Sequence, residues 1–130
     1  MANPNIVSVA SIYGECCGWA LTNTLTTTLF TVSSNKLIKI NRIVCANVDG
    51  TNAADLNLYI TTSIQTSLGG TVASGATDIY LAKTISVPAD ASLVVSDTPI
   101  YLRENDILKG GASAVSDLEL FITYEVLDDA

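Results

Sequence analysis

The sequence predicts an all-β fold: an antiparallel β-sandwich, jelly-roll or immunoglobulin-like, of about seven to nine strands. Three observations predict it. Apolar and polar residues alternate with a period of two along most of the chain, as on a pleated strand with one buried face. Turn-forming residues interrupt the alternation about every 8–15 residues, the rhythm of short antiparallel strands. No long stretch carries the 3.6-residue period of a helix. The chain has 130 residues, so residues 1–130 are read as a single sandwich domain.

Taken in order, the first strand-like runs are Ile6–Tyr13, Trp19–Leu21 and Leu25–Val32. The last of these lies in a threonine-rich tract, and threonine suits a half-buried pleated surface. Ile38 and Ile40 then alternate with Leu37, Lys39 and Asn41, after which the phase shifts to Ile43 and Cys45. A phase shift inside one apolar run predicts a bulge near Arg42. Leu56, Leu58 and Ile60 alternate with Asp55, Asn57, Tyr59 and Thr61. Residues 79–87 place Ile79, Leu81, Ile85 and Val87 on one face, with Lys83 interrupting it. Leu93–Val95 and Ile100–Leu102 are short. The clearest strand is the last, where Leu118, Leu120, Ile122, Tyr124 and Val126 alternate with Glu119, Phe121, Thr123 and Glu125.

The breaks are Ser33–Asn35, Asp49-Gly50, Gly69-Gly70, Ser74-Gly75, Pro88–Asp90, Asp97–Pro99, Glu104–Asp106 and Gly110-Gly111. Residues 52–55 have room for one helical turn at most. The stretch 65–77 is rich in Gly, Ser, Thr and Ala and reads as a long hairpin tip or surface loop.

Composition excludes several function classes. Six Lys and Arg against thirteen Asp and Glu give a net charge of −7, which cannot form the basic stripe of a nucleic-acid binder. It offers no polybasic patch to an anionic membrane either. The chain contains no histidine, the commonest general base and zinc ligand, so an enzyme is not expected. No cofactor or metal is expected. No apolar run is long enough for a membrane helix, and the N-terminus lacks the basic and apolar regions of a signal peptide.

Four residue groups resemble functional motifs and are better read as structure. Ser33–Lys36 has Ser-x-x-Lys spacing but precedes a strand and lacks partner motifs, so Lys36 is read as a solvated loop lysine. Asp49, Asn52 and Asp55 lack the ligand spacing of a calcium loop and read as turn formers. Glu104 and Asp106 read as a polar turn between two short strands, and Asp128-Asp129 as a solvated acidic tail. Cys16, Cys17 and Cys45 are odd in number and read as reduced thiols of a cytoplasmically made protein. Cys45 is placed in the core, and a bridge from Cys16 or Cys17 to Cys45 stays open as an alternative.

What remains points to packing. Only 15% of residues are charged, well under the quarter usual for soluble domains, and mean hydropathy is +0.41. Few Lys and Glu and much apolar content suit a surface hidden against neighbours. Tyr13, Tyr59, Tyr80 and Tyr101 fall on faces opposite the aliphatic ones, and tyrosine favours protein contacts. The candidate interface residues are Ile6, Val7, Val9 and Tyr13 of the N-terminal strand, Trp19, Leu68 of the 65–77 loop, and Tyr80.

Four segments carry a resemblance: MANPNIVSVASIYG at 1–14, NVDGTNAADLNLYI at 47–60, LAKTISVPADASLVV at 81–95, and PIYLRENDILKGGASAVSDLELFITYEVL at 99–127. Together they resemble small virion structural proteins of tailed bacteriophages, of marine and cyanobacterial type. The match is one of strand and turn pattern. Residues 14–36 and 62–77 match least, and Glu104-Asn105-Asp106 stands where the family commonly has Gly-Asp. The resemblance implies a β-sandwich located in the virion and assembled in the host bacterial cytoplasm. It implies a capsid decoration (cement) protein, an oligomer and in the first instance a trimer, whose partners are the major capsid protein or other virion subunits. A neck, tail, baseplate or fibre-attachment protein is the alternative within the virion. A carbohydrate-binding module built on Trp19, Tyr80 and the Asp49–Asp55 turn is the alternative outside it.

Overall fold

The computed structural model describes residues 10–62 and 78–128. Nine strands follow in chain order: β1 (Ser11–Ala20), β2 (Thr28–Thr31), β3 (Lys36–Asn47), β4 (Ala54–Thr61), β5 (Asp78–Val87), β6 (Ser92–Ser96), β7 (Ile100–Leu102), β8 (Ile107–Ala112) and β9 (Leu118–Asp128). All pairings are antiparallel. The first sheet has five strands in the order β1-β9-β3-β6, with β7 also against β3; the second has four, β2-β8-β4-β5. The two sheets pack face to face as the predicted β-sandwich.

The core lies between them. From the first sheet come Ile38, Ile40, Ile43, Cys45, Leu118, Leu120, Ile122 and Val126; from the second come Leu56, Leu58, Ile60, Ala82 and Leu108. The period-two alternation of β9 explains its burial. Leu118, Leu120 and Ile122 are at most 1% exposed, whereas Phe121 between them is 47% exposed. The bulge expected near Arg42 is present: the β3–β9 register slips between Ile40 and Arg42. That slip lets Ile40 and Ile43 both face inward, which strict alternation forbids.

Four strand expectations need correction. Tyr13 and Trp19 do not lie on separate runs. The chain is extended from Ser11 through Ala20, because every residue there pairs with β9. Strand β2 is shorter than the apolar run 25–32. Thr22, Thr24 and Thr27 bond one another through hydroxyl and backbone groups, which turns the chain before Thr28. Gly110-Gly111 is not a break but the inside of β8. A Cβ at Gly110 would lie 2.3 Å from the carbonyl oxygen of Asn57, and one at Gly111 would lie 2.6 Å from that of Thr24. Only glycine permits two neighbouring backbones to approach β8 so closely. In β5 the core position expected for Leu81 is taken by Ala82, opposite Leu58, because the β4–β5 register slips twice. Residues 65–77 lie outside the described residues.

Glu104–Asp106 forms the expected turn, and it carries the chain from β7 in one sheet to β8 in the other. Both acids of the turn are buried, Glu104 1% and Asp106 3% exposed, while Asn105 between them is exposed. The Asn35 N–H donates to Glu104 Oε2 at 2.7 Å and the Arg103 N–H to Asp106 Oδ2 at 2.8 Å. Lys36 opens β3, and its ammonium donates to Asp128 Oδ2 at 2.7 Å. It is therefore half of an ion pair tying β3 to β9 rather than a loop lysine, and Asp128 belongs to β9 rather than to a free tail.

Candidate interaction surface

Two surfaces of the first sheet depart from what a solvated sandwich needs. One is its outer face. Cross-strand register puts Gly18, Phe121, Val44 and Val94 in one row across β1, β9, β3 and β6. Phe121 is 47% and Val94 44% exposed. The next row holds Ala20, Glu119 and Ala46. Small residues beside Phe121 leave a shallow groove of about 410 Å³, lined by Gly18, Ala20, Val44, Ala46, Glu119 and Phe121. The Phe121 ring lies over Gly18, where a Cβ would meet its Cδ1 at 3.3 Å. Such a ring shields an edge glycine from the side on which it has no side chain of its own.

The other surface is the free edge of β1, which pairs only with β9 among the described residues. Its residues alternate in direction. Cys17 and Trp19 point inward and pack against the core. Tyr13 shares their face by parity, and with Phe30, Lys36 and Tyr124 it lines a small cleft between β1 and β2. The Phe30 and Tyr124 rings meet edge to face, centroids 5.4 Å apart. Burial raises the Tyr124 hydroxyl pKa. Ile12, Gly14, Cys16 and Gly18 face outward.

The thiols divide along the same line. Cys16 is exposed, Cys17 half-buried and Cys45 buried; all three are free. Burial pushes the Cys45 thiol up to about 11, which makes it an inert core hydrophobe. Strand β9 lies between β1 and β3. Across β9, Cys45 lies in the row of Trp19 and Cys17 in the row of Ile43, so Cys17 and Cys45 are separated by more than two strand spacings, over roughly 10 Å, beyond a bridge within one chain.

Of the residues singled out in sequence, Tyr13 and Trp19 share one face of β1. Tyr80 sits on β5 of the other sheet, its ring tilted 40° to that of Tyr59 with centroids 5.0 Å apart and the Lys83 ammonium 5.1 Å from its own centroid. The structure does not bring Trp19 and Tyr80 together. Ile6, Val7, Val9 and Leu68 lie outside the described residues. Near Asp49, the carboxylate is occupied by the Thr51 N–H at 2.8 Å and by both the backbone and side-chain N–H of Asn52. These bonds lower its pKa and make it a turn former. Among the described residues no cluster of three or more His, Cys, Asp or Glu side chains could hold a metal. Sequence reasoning missed Phe121, Val44, Val94 and Cys16. Phe121 left a signal: it stands among Glu119, Thr123 and Glu125 on the polar side of the clearest strand.

No family model and no curated protein matches the chain. The likeness to phage virion proteins therefore rests on the sequence pattern alone. Two solved structures are similar to this chain over most of its length. One is a protein of Bacillus endospore appendages, a family of disulfide-linked pili: 13% identical, TM-score 0.48, covering 92% of this chain and 88% of that one. The other is the Drosophila NLP core, described for its pentamer formation and histone binding: 11% identical, TM-score 0.45, covering 90% of this chain and 98% of that one.

Proposed function

We propose that this chain is a non-enzymatic structural subunit that works by packing against other protein subunits in a large assembly, as a capsid decoration (cement) protein of a tailed phage. The observation that carries the packing role is the apolar row Gly18–Phe121–Val44–Val94 lying beside the unguarded β1 edge. Isolated sandwiches place polar residues on an outer sheet face and blunt their edges. Here one sheet leaves both an apolar row and a regular edge uncovered among the described residues. The virion setting comes from the sequence resemblance.

The mechanism is mechanical. Burying Phe121, Val94 and Ile12 against a partner removes apolar area from water, at roughly 25 cal/mol per Å². The rigid double layer then ties neighbouring subunits together. A net charge of −7 keeps the subunit off packaged DNA and suits a solvent-facing outer shell.

Co-sedimentation of the purified protein with separated phage heads and tails tests this. The reading expects saturable binding to expanded heads, weakened by Phe121→Lys. Binding to tails alone transfers the function to the neck or tail. Binding to neither overturns the virion role.

A further inference from the structure

The free edge of β1 has a direction and a register that point to its partner. The Leu21 N–H donates to the Leu118 carbonyl at 2.9 Å, continuing the β1–β9 register by one pair. In an antiparallel ladder the residues that exchange bonds alternate with those that do not. Trp19, Cys17, Glu15 and Tyr13 therefore bond to β9, while the N–H and C=O groups of Ile12, Gly14, Cys16, Gly18 and Ala20 point to the open side. The neighbouring ladder agrees: the Val48 N–H bonds to Asp117 O at 2.8 Å, which turns the odd-numbered groups of β9 toward β3 and leaves the even ones for β1.

We propose that the β1 edge pairs antiparallel with β1 of a second copy around a two-fold axis at Cys16. The inference rests on the packing role above and names the partner of one edge. Because only even-numbered residues offer bonds, even must meet even across the axis. Two such registers overlap nearly the whole strand. One sets Glu15 against Glu15 of the second copy, and like charges directly opposite repel. The other sets Cys16 against Cys16, Gly14 against Gly18, Ile12 against Ala20, Tyr13 against Trp19, and Glu15 against Cys17.

In this second register the single carboxylate of the strand meets no other. The two aromatic residues pair on the inner face. The glycines meet without side chains to clash; Gly14 has nothing within 4 Å of a built Cβ. The strand thus contains its own complement, and the two five-stranded sheets join as one. The contact is two-fold, and so differs from the trimer implied by the virion resemblance.

Sedimentation velocity across micromolar concentrations tests it on the full chain. The expected result is a mass that doubles with concentration and shifts further to dimer in salt, since each copy carries a net −7. Gly14→Pro removes an edge N–H that β9 does not use, and Cys16→Lys sets two ammonium groups face to face. Both variants should remain monomeric while keeping the thermal unfolding of the dilute, monomeric parent.

Oxidised glutathione supplies a second readout. Cα atoms opposite one another in a bonded antiparallel pair are about 5.5 Å apart, within disulfide reach. Two Cys16 thiols and one oxidised glutathione should give one Cys16–Cys16 disulfide and two reduced glutathiones. The cross-link should form in Cys17→Ser and fail in Cys16→Ser. A monomer at every concentration, a trimer, a dimer indifferent to both edge variants, or a cross-link through Cys17 overturns the pairing. A monomer that still binds heads overturns the pairing alone; a dimer that binds neither heads nor tails overturns the virion role alone.

Discussion

Strands β1 and β5 are both ten residues long and both lie at the edge of their sheets, yet they are built in opposite ways. Strand β5 slips register twice against β4. It carries Lys83, and it holds Thr84 at a φ of 52°, a left-handed conformation that a β-branched residue resists. The Thr84 N–H is taken by Asn57 Oδ1 at 3.1 Å. Strand β1 pairs with β9 without a slip from Ser11 to Ala20. It has no lysine, no proline and two glycines. Bulges and lysines are how natural sheets keep an edge from pairing. The sequence therefore spends backbone strain on guarding β5 and leaves β1 fit to be covered.

The sharpest contrast between an inner strand and this open edge lies in their glycines. Gly110→Val drives a branched side chain into the Asn57 carbonyl and forces β8 from β4. It should cost about 4 kcal/mol or more in a urea titration, enough to unfold a marginal domain. Gly14→Ala on β1 should stay within about 0.5 kcal/mol. Equal losses at both sites would mean that β1 is not an open edge.

Trp19→Ala comes next. Its indole is the main anchor of β1 on the core, and it is only partly buried. A loss of about 2 kcal/mol is expected, below that of a fully buried aromatic. Proteolysis of residues 11–20 should quicken with it, while β5 stays protected.

Thr84→Gly should act in the other direction. Removing the Cβ from a left-handed position relieves about 1 kcal/mol, read as a raised urea midpoint. A fall in stability would show that the bulge is held by the threonine side chain rather than tolerated in spite of it.

How much of this was legible in the sequence depended on whether the signal was local. The alternation of β9 and the phase shift at Arg42 are written in adjacent side chains, so the core face and the bulge could be read directly. The Gly110-Gly111 pair could not. The same dipeptide serves a turn or a close backbone approach, and the carbonyls of Asn57 and Thr24 that decide between them are distant in sequence. Strand β1 was half legible: Tyr13, Cys17 and Trp19 keep period two, but Gly14 and Gly18 leave the other face blank. Of the interaction surface, Tyr13 could be picked on the N-terminal run and Trp19 as a lone indole on a separate one; that they share a strand could not. The row joining Gly18 to Phe121, Val44 and Val94 exists only once four strands are in register.

The smallest effect concerns pH. Hydrogen bonds from Thr51 and Asn52 lower the pKa of Asp49. A lowered carboxylate contributes stability above its unfolded pKa and loses it as pH falls through the folded one. Asp49→Ala should thus cost a little at neutral pH and nothing in strong acid, leaving the two proteins with converging acid-unfolding curves. Because the turn joins β3 to β4, this change should leave both edges as they were.

Amide hydrogen exchange along β1, at low and high protein concentration, tests most directly that this edge is made to be covered. In dilute protein the account predicts slow exchange at Tyr13, Glu15, Cys17 and Trp19 and fast exchange at Ile12, Gly14, Cys16 and Gly18. At high concentration the second set should become protected while the amides of β5 do not change. Exchange in the second set that stays fast at every concentration, or protection gained first along β5, would contradict it.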